Sequence, residues 1–385
     1  MSKRIGIIAM ALSMGILLVS GCSTKKPDVA LKEAIAKTNS ATSYKIKGEI
    51  KIDRLIIKSL PAPTKKYNPQ EIVDTLRATT ITYDTTIDET NAKVEALCSL
   101  NTKYDGIDMS IKIPVIMDYK NETLYFGSSA INSVLSLAKK YDKKMKPKDK
   151  INLEKVKSIL TEQEYIKFDL SENGDIAKEL SKNKKTKKDK VLIKELQDNF
   201  TLNEEYFKKY IAIRKEARTR IINDINATAF SYSKNELFGS KKIVQITLDN
   251  NKTAKLVESI ANLALDFIAQ DKKWKLEIDK VDRKKITPIV QIAFMFVDIN
   301  TIMSVGIDKH GYINHFNTKF EISDKKNELG NISISNENSY SNFNNAKFSF
   351  DTNDSSKYIG VMELIKKFEA LDAPNKKSKN KRSKR

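Results

Sequence analysis

The stretch Ser43-Tyr44-Lys45-Ile46-Lys47-Gly48-Glu49-Ile50-Lys51-Ile52-Asp53 decides the fold. Its apolar and polar residues alternate one by one. Tyr44, Ile46, Ile50 and Ile52 fall on one side of an extended chain; Lys45, Lys47, Glu49, Lys51 and Asp53 fall on the other. A period of two marks a strand with one buried face, as in antiparallel sheets covered on one side only. The pattern recurs downstream. Ile81, Tyr83, Thr85 and Ile87 share a face within 79–87, and Val94, Ala96, Cys98 and Leu100 share one within 94–100. Ile107, Met109, Ile111, Ile113, Val115 and Met117 form a longer series, and Lys120-Asn121-Glu122 turns into Thr123 to Phe126. Consecutive strands with short connections predict an antiparallel meander. Pro114 predicts an edge or a bulge in the longest strand.

Helical spacing flanks this meander. Ala30, Leu31, Ala34, Ile35 and Ala36 predict a helix over 29–38. Ile131, Val134, Leu135 and Leu137 predict another, as does the run 151–160. A short strand is expected from Tyr165 to Leu170. Thr201 and Glu204 have the spacing of a capping box before Tyr206, Phe207, Tyr210, Ile211, Ile213, Ile221, Ile222 and Ile225. A strand at 242–248 precedes a helix from Thr253 to Ala269, which Asn251 can cap. Its stripe is Leu256, Val257, Ile260, Leu263, Ala264, Phe267 and Ile268. Strands are then expected around Trp274, at 289–297 and 302–307, from Tyr312 to Ile322, and at Ile332, Ile334, Phe348 and Phe350, with a last helix at 361–371. Asp308-Lys309-His310-Gly311 reads as a hairpin turn, because Gly311 can take positive φ. The expected class is α+β: a curved, half-barrel-like antiparallel sheet with helices packed on one face. It occupies 29–372, with a helical, lysine-rich insertion at about 139–235, and a basic, disordered tail follows at 373–385.

Composition fits a packed domain. Hydrophobic residues are 40% of the 385, enough for a core, and 31% charge with only 12 glycines excludes a collagen-like chain. The formal net charge is +20. Much of the excess lies in the tail, where Lys376, Lys377, Lys379, Lys381, Arg382, Lys384 and Arg385 put seven positive charges in ten residues. Such a run suits an anionic partner, a wall polymer, lipid headgroups or extracellular nucleic acid, because each cation near an anionic surface gains about 1 kcal/mol. No RNA- or DNA-binding motif accompanies it, so no specific nucleic acid is expected.

Little points to catalysis. The two histidines, His310 and His315, fall on the hairpin turn and the strand after it, near Asp308, and a metal site would need a third converging ligand. No glycine-rich phosphate loop and no G-x-S-x-G elbow occurs, and Asp84, Asp88 and Glu89 read as solvated carboxylates. No enzyme activity, metal or cofactor is expected. Cys98, on the apolar side of its strand, reads as a small buried hydrophobe.

The first residues carry the clearest motif. Lys3 and Arg4 precede an uncharged apolar run from Ile5 to Val19, too short to span a bilayer comfortably and suited to the core of a secretory signal. Val19-Ser20-Gly21-Cys22 follows. This order resembles the lipobox of bacterial lipoproteins. The resemblance implies a signal peptide at 1–21, cleavage before Cys22 and diacylglyceryl transfer to the Cys22 sulfur. It also implies a tether at 22–28 and a place on the extracytoplasmic face of the cell membrane. Two acyl chains give stable anchoring where one gives marginal binding.

The arrangement of elements has a likeness too. A helix running into Ser43-Tyr44-Lys45-Ile46-Lys47-Gly48, a meander, central helices and a closing meander resembles the LolA/LppX-like lipoprotein carriers. Tyr165-Ile166-Lys167-Phe168-Asp169-Leu170 and Gly311-Tyr312-Ile313 look like segments of related envelope lipoproteins. That resemblance implies a half-barrel holding a lipid or other hydrophobic ligand between sheet and helices.

Overall fold

A computed structural model of the protein describes residues 25–58, 63, 68–104, 107–141, 157–160, 162–171, 174–182, 203–234, 239–269, 282–326 and 330–372. Cys22, the expected strand around Trp274 and the basic tail lie outside the described residues. In chain order, α1 (Pro27–Asn39) leads into β1 (Ser43–Ile57). Then come α2 (Pro69–Arg77) and the meander β2 (Thr80–Asp88), β3 (Lys93–Tyr104), β4 (Ile107–Asp118) and β5 (Thr123–Gly127). Next are α3 (Ser128–Tyr141), β6 (Tyr165–Asp169), α4 (Asp175–Lys182) and α5 (Glu204–Asp224). They are followed by β7 (Phe230–Tyr232), β8 (Lys242–Leu248), α6 (Asn250–Ile268) and α7 (Ile286–Phe296). The chain closes with β9 (Val297–Ile307), β10 (Ile313–Asp324), β11 (Gly330–Ser341), β12 (Tyr358–Gly360) and α8 (Val361–Asp372).

Among the described residues twelve strands form one open, curved sheet in the order β12-β6-β5-β4-β3-β2-β1-β11-β10-β9-β8-β7. Every pairing is antiparallel except that of β12 with β6. The fold is α+β, as the strand periodicity and the helix order predict. Two sequence-local blocks meet where β1 pairs with β11, from Lys45 opposite Ser341 to Ile57 opposite Gly330. The register aligns the apolar faces. One inner row runs Ile113, Cys98, Tyr83, Gly48, Asn338, Phe316, Val305 and Val244 across eight strands.

The helices cover this inner face in patches. α1 buries Ala30, Leu31, Ala34 and Ile35 against Val244, Ile246, Leu248, Met303, Val305 and Ile307. Phe207 and Ile211 of α5 pack on Tyr44, Ile46, Ile87, Ala92 and Tyr119, where the strands turn. Leu160, Leu364 of α8 and the partly buried Ile131 and Leu135 of α3 gather round Ile166 and Ile359. Each fully buried Leu, Ile or Phe contributes roughly 1.5–3 kcal/mol relative to exposure. The outer face carries the charges. Lys45 meets Asp84 at 2.9 Å, and Lys51 lies 3.6 Å from Glu337. Such exposed pairs add at most about 1 kcal/mol each, so burial on the inner side holds the fold.

Several expectations need correction. The run 289–297 is helix α7 up to Phe296 rather than strand, since a short apolar run has no periodicity to choose between the two. Phe348 and Phe350 are not in strands. They lie in a strap, 342–357, that crosses the outer face and sets Phe350 on Ile116 and Tyr125. α5 is capped by Asn203, whose Oδ1 accepts from the Tyr206 amide at 2.8 Å, and Thr201 lies outside the described residues. α6 starts one turn early, with Asp249 Oδ1 accepting from the Lys252 amide at 2.9 Å. Among the described residues of 139–235, β6 and β7 pair into the sheet and α5 supplies core. Pro114 stands just past Val115, the last β4 residue paired with β5, so β4 is an edge from there back to Ile107.

Candidate functional site

Between its covered patches the inner face stays open. Ile50 and Ile81 lie opposite one another on β1 and β2, yet remain 36% and 41% exposed. Leu100 follows Ile81 in register, and Ile111 follows Leu100. Cys98, in the next row, is exposed and unpaired with any other cysteine. This overturns its expected burial: the strand periodicity places Cys98 on the inner face, but the side chain stays exposed there. Leaving several large apolar groups together in water is costly, which marks such a surface as one that binds.

Two helices also expose apolar residues. Thr253 at the start of α6 is buried, with its hydroxyl 3.3 Å from the Thr301 hydroxyl of β9, and Leu256 packs on the same core. Val257 and Ile260 continue that side of the helix at helical spacing, but both are exposed. The apolar stripe of α6 therefore begins against the sheet and continues into the exposed Val257 and Ile260. α2 approaches from the other end of β1 and β3. Val73 is buried there, and the Thr79 and Thr102 hydroxyls meet at 2.7 Å, while Ile72 and Leu76 stay exposed. The Asn68-Pro69 pair gives this helix its start: Asn68 Oδ1 accepts from the Gln70 amide at 3.2 Å.

A polar cluster sits in the middle of this apolar surface. The Tyr83 ring lies across Gly48, where any Cβ would collide with it. Its hydroxyl donates to Asn338 Oδ1 and lies 3.2 Å from Asn336 Oδ1. Asn338 Nδ2 donates to the Phe316 carbonyl at 3.0 Å and to Asn336 Oδ1 at 3.1 Å. Burial pushes the Tyr83 phenol above its ordinary range, so the hydroxyl stays a donor. Strand periodicity alone did not single out these residues. The signal that was there is Gly48, a glycine on the apolar face of a strand, which marks a close approach.

The rim near the turns is fixed by charge. Lys215 of α5 donates to Glu89 after β2, and Arg214 donates to the Tyr44 hydroxyl at 2.8 Å. Asp84 binds Lys45 and Lys47, and Asp88 accepts from the Thr90 and Asn91 amides, so these carboxylates have structural roles. The histidines stay apart from this surface. His310 lies in the turn with its amide on Asp308 Oδ1 at 2.8 Å, beside Gly311 at φ +85°. His315 is on the outer side of β10, and burial lowers its pKa. Among the described residues no three His, Cys, Asp or Glu side chains are grouped to hold a metal ion.

Cys22 and the tail residues Lys376, Lys377, Lys379, Lys381, Arg382, Lys384 and Arg385 lie outside the described residues. Among the described residues no helix is long and apolar enough to cross a membrane. Comparison with known proteins finds no family model and no curated protein that matches the chain.

Proposed function

We propose that this is a non-enzymatic, lipid-anchored lipoprotein of the cell envelope that holds a hydrophobic ligand, an acyl chain, against the inner face of its sheet. The observation that carries the ligand reading is the exposure of Ile50, Ile81 and Cys98 on the apolar side of the sheet; Val257 and Ile260 of α6 are exposed apolar residues as well. An acyl chain laid there gains about 0.8 kcal/mol for each methylene it buries. The anchor reading rests on Val19-Ser20-Gly21-Cys22 and is separate from the ligand reading.

Two measurements test it. The full chain, freed of detergent, should bind a fluorescent fatty acid, and Ile50→Asp or Ile81→Asp should each weaken binding at least about ten-fold, by losing one large apolar contact. The Cys98 thiol should react with a disulfide reagent in the native state and be protected by that fatty acid. No binding by the native protein, or binding by both variants as tight as by the native protein, rules the ligand reading out. Mass spectrometry of the mature N-terminus tests the anchor: an unmodified Cys22 would end that part of the proposal.

A further inference from the structure

The most exposed apolar surface among the described residues is elsewhere, on α7. Its sequence, Ile286-Thr287-Pro288-Ile289-Val290-Gln291-Ile292-Ala293-Phe294-Met295-Phe296, contains no charge. One side is held by the fold. Phe294 is buried, its carbonyl accepts from Asn250 Nδ2 at 3.4 Å, and the Thr287 hydroxyl donates to Glu258 of α6. The opposite side carries Ile289, Ile292 and Phe296 at helical spacing, with Met295 beside them. They are 63%, 55%, 70% and 60% exposed, in the order Ile289, Ile292, Phe296 and Met295. No other large apolar side chain among the described residues is as open. A single exposed large apolar residue needs no explanation, but four on one helix do.

Charge identifies what covers it. Exposed Arg283, Lys284 and Lys285 precede the helix. At its other end the Lys325 amide donates to the Phe296 carbonyl at 3.1 Å, which brings the Lys325-Lys326 turn alongside. Two of the five cations have carboxylate neighbours: Arg283 meets Asp266 at 2.6 Å, and Lys285 lies 4.0 Å from Asp282. Lys284, Lys325 and Lys326 add three further exposed positive charges, whereas the carboxylates nearest the far end, Asp298 and Asp324, are partly buried and Asp324 accepts from the Gly330 amide at 3.1 Å, so the exposed charge at both ends of the uncharged apolar stripe is basic. Against a second copy on a two-fold axis the same basic ends would face each other and repel. Against an anionic bilayer the stripe enters the acyl boundary while the lysines reach the headgroups along their own methylene stems.

We propose that α7 is a membrane-surface helix, with Ile289, Ile292, Met295 and Phe296 dipping into an anionic bilayer and Lys284, Lys325 and Lys326 contacting its phosphates. This contact is independent of acylation at Cys22 and of the ligand face. The test uses the full chain with Cys22→Ser and Cys98→Ser and one new thiol, Met295→Cys, labelled with an environment-sensitive fluorophore. A second chain with Lys367→Cys carries the same label on α8, away from both faces, as reference. Vesicles of phosphatidylglycerol and phosphatidylcholine should shift emission to the blue at position 295 and leave position 367 unchanged, and brominated acyl chains should quench only position 295. The lipid concentration for half of the change should rise about five-fold for each of Lys284→Ala and Lys325→Ala. No shift at position 295 overturns the proposal, as does equal change at both positions or the same response to pure phosphatidylcholine. A dimer by light scattering that Phe296→Asp splits, with no vesicle response, would assign the face to a second copy instead.

Discussion

Gly48→Ala should be one of the most damaging single-methyl additions in the sheet. The new Cβ falls within the Tyr83 ring, and the ring cannot stay where it is. Moving it breaks its hydroxyl's bond to Asn338 and its approach to Asn336. A hydrogen bond of this kind contributes roughly 1 kcal/mol, and forcing an extra methyl into a packed site costs about 1–3 kcal/mol. Replacing glycine inside a strand returns roughly 0.5–1 kcal/mol of backbone entropy, so the net loss should be near 2 kcal/mol. The control is the same substitution beside Tyr83→Ala. With the ring gone the clash is relieved, and Gly48→Ala should become neutral or slightly stabilising. Urea unfolding of the four proteins closes the cycle, and the coupling energy should be about 2 kcal/mol or more. Tyr83→Phe separates the hydroxyl from the ring. If the two substitutions add within about 0.5 kcal/mol, the ring does not depend on a bare position 48 and the reasoning is refuted.

Two other perturbations follow from the packing. Burial pushes the phenols of Tyr119, Tyr125 and Tyr165 up to about 12, against 10.0 when solvated. The native state therefore keeps these protons while the unfolded state loses them. Their contribution is complete below pH 10 and is lost as the pH rises from 10 towards 12. Phenolate absorbance should rise late in the native protein and early in urea, and coincident curves would contradict the burial. Phe207→Ala removes a fully buried ring whose centroid is 4.7 Å from that of Tyr119. It should lower stability by roughly 3–5 kcal/mol in a thermal or urea melt, and a loss under about 1 kcal/mol would mean that α5 is not held there.

The sheet was legible in the sequence because one buried face imposes a period of two, and Tyr44 to Ile52 or Ile107 to Met117 display it directly. Gly311 announced its hairpin for a local reason as well, since its φ of +85° suits glycine. What failed was whatever depends on partners distant in sequence. Ile289 to Phe296 has no alternation, and only packing beside α6 makes it helical. Phe348 and Phe350 look like strand residues, but they lie in a strap, and Phe350 is buried on Ile116 and Tyr125, a contact distant in sequence. Cys98 was placed on the correct side of its strand, yet its exposure depends on which helices reach that side. The open face was legible as an apolar row, and the Tyr83–Asn338 cluster was not, because three of its four residues look ordinary until β1 and β11 are paired.

That pairing poses a problem the apolar pattern cannot solve. A slip of one residue between β1 and β11 would turn a whole face outward and is excluded by burial. A slip of two keeps every inner residue inside, so alternation allows it. β1 and β11 are also the strands that join the two sequence-local blocks, so no tight turn fixes their register. The row Tyr83, Gly48, Asn338 and Phe316 supplies what is missing. Tyr83 can lie across β1 only where the residue between is glycine, and its hydroxyl then meets Asn338 on the far side. In either two-residue slip Gly48 would face Asn336 or Tyr340, and the hydroxyl, the amide and the Phe316 carbonyl would lose their present partners. Unpaired polar groups on a mostly apolar face cost about 1–3 kcal/mol each, enough to reject the slipped sheet. The same cluster that interrupts the apolar face thus sets the register on which its continuity depends.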